Sequence, residues 1–75
     1  MLTDTSARLV ARLSAAQAAS GLTHRAFAES IGLSESYWCH IRRRKSISLK
    51  ALSTVVQRRP DLALSVMNEM AEAVA

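Results

Sequence analysis

Residues 34 to 45 read Ser-Glu-Ser-Tyr-Trp-Cys-His-Ile-Arg-Arg-Arg-Lys. Trp38 and Ile41 lie three apart and share one face of a helix. The remaining side chains are polar, and most of them donate hydrogen bonds. Ser34, Glu35, Ser36, Tyr37, His40 and Arg43 are the candidates for reading base edges, whose major-groove donors and acceptors differ for every base pair. Arg43 best shares the face of Ser36 and His40. Glu35 only accepts, so it requires a donor such as the amino group of cytosine. Trp38 stands opposite this polar face and is expected in the core rather than as a stacking platform.

A second set suits phosphate oxygens: His24, Arg25, Arg42, Arg44, Lys45, Ser46, Ser48 and Lys50. Charge runs are commonly just solvated faces, and adjacent helical residues point in different directions. The position of this run, directly after a polar-faced helix, favours contact with a polyanion. Charge is also segregated along the chain. The net charge of +4 divides into +1 over residues 1–22, +6 over 23–59 and −3 over 60–75. A basic middle and an acidic end suit one face to a polyanion and keep another element away from it.

Other chemistries find little support. Cys39, His40 and His24 lack the spacing of a structural zinc site, so no metal and no cofactor are expected. No nucleophile stands beside a base and an orienting carboxylate, and no glycine-rich loop cradles phosphate, so catalysis is not expected. A single cysteine cannot form an internal disulfide. No apolar run is long enough to span a bilayer, and the N-terminus lacks the layout of a secretory signal. A cytoplasmic protein with no membrane partner and no small-molecule ligand is expected.

The elements that must position these residues follow from composition and punctuation. Nearly half of the 75 residues are hydrophobic, mostly Ala, Leu, Val and Met, with two Gly and one Pro. That is an all-α composition, and the length allows a single domain over 1–75. Gly21, Gly32, Ser46–Ser48 and Pro60 divide it into five helices. The first begins near Thr3 to Thr5, with Leu9, Leu13 and Ala16 inward, and stops at Ser20-Gly21. Thr23 caps a second helix over about 24–31, with Phe27, Ala28 and Ile31 inward. Ser34 caps a third over about 35–43, and Ser48 a fourth over about 49–58 with Leu49, Leu52, Val55 and Val56 inward. The fifth covers about 61–73 and carries Leu62, Val66, Met67, Met70 and Val74.

Phe27, Ala28, Ile31, Gly32, Leu33, Ser34, Trp38 and Ile41, followed by Ser48-Leu49 and Leu52, resemble the lambda-repressor-like helix-turn-helix family of Cro and C1 type phage repressors. The resemblance covers about residues 5–58. It implies a five-helix domain with a central helix-turn-helix at about 23–43, binding palindromic operators as a dimer, often on its own promoter. The family often has Gln where this chain has His24, and Glu where it has Arg42. Trp38 is larger than the usual aliphatic residue there. The base preference of the family is therefore not carried over.

The fifth helix is apolar around much of its circumference and wants cover on two sides. Leu62, Val66, Met67, Met70 and Val74 are therefore expected to form a homodimer interface. The functional expectation is a homodimeric, sequence-specific double-stranded DNA-binding regulator, an (auto)repressor of phage or mobile-element type. Cro-like, anti-CRISPR-associated, restriction-controlling and antitoxin settings all fit the length. The alternative is a protein-interaction module, antitoxin-like, with incidental DNA affinity.

Overall fold

A computed structural model describes residues 2–74, with side chains described for 5–71. Five helices follow in order: α1 (Leu2–Ser20), α2 (His24–Ser30), α3 (Glu35–Arg44), α4 (Leu49–Arg58) and α5 (Pro60–Val74). The described residues contain no strand, so the fold is all-α. None of the helices is long and apolar enough to cross a membrane.

The three middle helices start for the same local reason. Thr23, Ser34 and Ser48 have extended backbones, and each side-chain oxygen accepts the N–H three residues on: Ala26, Tyr37 and Ala51, all at 3.1 Å. Each cap satisfies a donor that the helix itself cannot, worth about 1 kcal/mol. The first helix departs from expectation. It begins at Leu2, and Thr5 lies inside it, buried.

The turn between α2 and α3 is built on Gly32, whose φ is +82°. Its Cα hydrogens also face α4. A Cβ there would stand 2.8 Å from Arg58 Cγ and 2.9 Å from Thr54 Cγ2. Gly32→Ala therefore meets both a disfavoured φ and a clash. We expect it to destabilise the chain by about 1–3 kcal/mol, read as a lower midpoint in urea at unchanged slope. An unchanged midpoint would mean that the turn can relax away from α4.

The core joins all five helices. Val10 and Leu13 of α1, Phe27, Ala28 and Ile31, Trp38 and Ile41 of α3, and Ala51 and Val55 of α4 form one buried cluster, with Leu62 packed at its edge. Phe27 and Trp38 rings tilt against each other with centroids 5.2 Å apart. Leu9, Leu52 and Val66 form a second cluster between α1, α4 and α5.

Two expectations for the core are corrected. Leu49 does not face inward; it is 75% exposed. Ala51, Leu52 and Val55 set the buried stripe of α4, and Leu49 lies about a third of a turn off it. In α5, Leu62 and Val66 belong to the chain's own core rather than to an outward interface. Met67 and Met70 do remain exposed, together with Leu64. The side chain of Val74 lies outside the described residues.

Ion pairs fasten α5 from both ends. The Arg59 guanidinium makes two bonds to the Asp61 carboxylate, at 2.9 and 2.8 Å, and a third to Ser30 Oγ at 3.0 Å. The hydrogen bond from Arg59 holds the Asp61 carboxyl below its ordinary range. Further on, Arg12 of α1 donates to the Glu69 carboxylate at 2.8 Å. Glu69 is buried, and Arg8 approaches its other oxygen at 4.0 Å.

Candidate nucleic-acid interface

With Trp38 and Ile41 fully buried, the orientation of α3 is fixed. Ser36, His40 and Arg43 lie on the opposite side of the helix, exposed, and Glu35 is exposed at its first turn. Cys39 is half-buried between this ridge and the α2 side.

Two clefts flank the ridge. One, of about 380 Å³, is lined by Tyr37, His40, Ile41, Arg44, Ser46 and Ser48. Tyr37 is partly exposed there, and its hydroxyl lies 3.2 Å from Ser48 Oγ. Ser34 and Ser48 spend one lone pair each on their caps; Ser34 keeps its hydroxyl proton to donate, and the bonded Tyr37–Ser48 pair keeps one hydroxyl proton between them. Lys50 is exposed in the first turn of α4, behind Ser48. The other cleft, of about 280 Å³, is lined by Cys39, Arg42 and Arg43. Beyond it the start of α2 brings His24 to 3.2 Å from Arg42 Nη1. Arg25 is exposed beside His24 and reaches Glu29 at 3.5 Å.

The cations divide into two populations. Arg12 and Arg59 are committed to carboxylates of α5, and Arg8 lies beside Glu69. Among the described residues, Arg42, Arg43, Arg44, Lys45 and Lys50 form no ion pair with a carboxylate. Four of these five cations close α3, and Lys50 stands in the first turn of α4. Lys45 also holds the left-handed conformation at the end of α3, φ 53°, where glycine is the usual residue.

The expected base-reading residues and phosphate-contacting residues accordingly fall on α3 and on the elements bordering it. Arg42 differs most from its expected place: it turns toward His24, and is only half exposed. Gln17 was missed. It is buried on α1, accepts the Trp38 indole N–H at 3.0 Å and contacts His24. Its signal was available, because it continues the inward stripe of Leu9, Leu13 and Ala16 as a polar residue. Among the described residues, no group of three or more His, Cys, Asp or Glu is placed to hold a metal.

No protein-family model matches the chain, and neither does any curated protein or solved structure.

Proposed function

We propose that this chain is a sequence-specific double-stranded DNA-binding regulator, a homodimeric repressor of phage or mobile-element type. In this reading α2, the Gly32 turn and α3 are a helix-turn-helix of the lambda-repressor-like kind, and α3 enters the major groove. One observation carries it. The exposed ridge of Ser36, His40 and Arg43 is bordered on both sides by donors: His24, Arg25 and Arg42 on one, Tyr37, Arg44, Ser46, Ser48 and Lys50 on the other. A groove has the same layout, with base edges along its floor and a phosphate strand along each wall. The protein binds and performs no chemistry. Repression follows from occupying a promoter.

The test is binding to the duplex upstream of its own gene against a scrambled duplex, at two salt concentrations. Each neutralised phosphate contributes a slope of about −0.9 in log affinity against log salt. Strong preference for the native duplex supports the reading, and equally weak binding to both duplexes refutes self-regulation.

The homodimer is proposed on a corrected surface. Leu49, Val56, Met67 and Met70 line an apolar cleft of about 320 Å³ between α4 and α5, beside the first turn of α4. Among the described residues no charged one lines it, so a second copy of a chain with net charge +4 meets none of their like charges there. A two-fold dimer predicts a pseudo-palindromic site with half-sites about 34 Å or a multiple apart. Met67→Glu changes a side chain that is 63% exposed, so the fold is retained. Sedimentation is expected to show dimer turning to monomer. A dimer of undiminished strength would remove this cleft from the interface. The same exposed face gives the partner-protein reading its only support, and that reading predicts a monomer with sequence-blind DNA affinity.

A further inference from the structure

A line of hydrogen bonds runs from the core to the surface at the start of α2. The Trp38 indole N–H can only donate, so the atom of Gln17 that meets it at 3.0 Å is the carbonyl oxygen. The amide nitrogen of Gln17 is then a donor. It lies 2.7 Å from His24 Nδ1 and 3.3 Å from the Leu22 carbonyl. His24 Nδ1 therefore accepts, and the proton of the neutral imidazole sits on Nε2. Arg42 Nη1 lies 3.2 Å from Nε2 and 3.4 Å from Nδ1. Two donors thus stand side by side at an exposed histidine, with neutral Gln17 behind them. The charged groups near His24 are Arg42 from α3 and Arg25 on its own helix, both cationic.

We infer that Gln17 is a positioning residue that acts through His24. It fixes the imidazole as an outward Nε2–H donor, and this donor and Arg42 together hold one phosphate oxygen of the bound duplex. An anionic oxygen can accept from both donors at once. The inference rests on the DNA-binding reading and adds a second layer to it. The phosphate clamp is set from inside the domain by Trp38 and Gln17, and not by the surface residues alone.

Gln17→Glu is the discriminating variant. It keeps an oxygen for the Trp38 N–H but replaces the donor facing His24 with an acceptor. The neutral imidazole should then carry its proton on Nδ1 and turn a lone pair outward. Imidazole ¹⁵N spectra at pH 8.5 are expected to show the Nε2–H form in the wild type and the Nδ1–H form in Gln17→Glu. An Nδ1–H form in the wild type overturns the inference without any variant. DNA affinity is read in a cycle of Gln17→Glu, His24→Ala and the double variant. His24→Ala should weaken binding roughly 3–10-fold and leave the salt slope nearly unchanged, because the neutral imidazole neutralises no phosphate and Arg42 remains. Gln17→Glu should weaken binding with His24 present, and by a clearly smaller factor in the His24→Ala background. Equal factors in both backgrounds overturn the inference. The Trp38 indole N–H resonance reports whether Gln17→Glu folds. If it does not, the wild-type tautomer and the affinity of His24→Ala decide. A wild type that binds no duplex removes the functional reading and this one together. A wild type that binds while His24→Ala changes nothing removes only the clamp.

Discussion

Trp38→Ala is expected to leave the chain largely unfolded at room temperature. Trp38 has no exposed surface, its ring packs against Phe27, and its N–H is bonded to buried Gln17. Truncation removes that burial and leaves a cavity, together about 3–5 kcal/mol. It also strands the Gln17 carbonyl away from its donor, which costs about 1–3 kcal/mol more. A single core in a domain of this size supplies only about 3–5 kcal/mol. The loss is as large as the whole margin. Trp38→Phe keeps most of the ring contact and loses only the polar bond, so it should remain folded with a melting temperature lower by roughly 5–15 °C, at about 4–8 °C per kcal/mol. Thermal melts followed by circular dichroism separate the three proteins. A cooperative, near-wild-type melt of Trp38→Ala would place the ring outside the core.

The contrast between these variants bears on what the sequence made legible. Features decided within four residues were readable. Thr23, Ser34 and Ser48 cap where a hydroxyl precedes a helical pattern, and Gly21 and Gly32 take positive φ where a helix must end. The inward direction of α3 was readable too, because Trp38 and Ile41 leave no second apolar face. What failed depends on where a neighbour lies. Leu49 is apolar and in register with Leu52 and Val56, yet no described residue covers the start of α4 on that side. Leu62 and Val66 look like an outward stripe until α1 and α4 are seen to lie against them. Glu69 was counted among charges that keep α5 away from DNA, but it is buried against α1 and held by Arg12. Arg59 belongs to the same basic stretch as the candidate site residues, and is withdrawn from it by Asp61 and Ser30. Sequence spacing gives the faces of an isolated helix; contact between helices decides which face is the outer one.

The division of the interface into base-reading and phosphate-binding residues makes Arg43 the sharpest test of the functional proposal. Arg43 is exposed on the ridge of α3, and its guanidinium pairs with no carboxylate among the described residues. Arg43→Ala should therefore leave the thermal melt unchanged, since surface changes away from specific interactions stay within about 0.5 kcal/mol. A guanidinium at this position can meet guanine O6 and N7 with two parallel bonds, discriminating a base pair by about 1–3 kcal/mol. The native duplex should then lose roughly 5–150-fold in affinity on truncation, while the scrambled duplex loses far less. Lys50→Ala is the control from the edge of the same surface. A phosphate contact is blind to sequence, so both duplexes should weaken by the same factor, with the salt slope reduced in magnitude by about 0.9. If Arg43→Ala also weakens both duplexes equally, Arg43 belongs to a groove wall. Base reading would then rest on His40 and Ser36, which project from the same ridge about one and two turns closer to the start of α3.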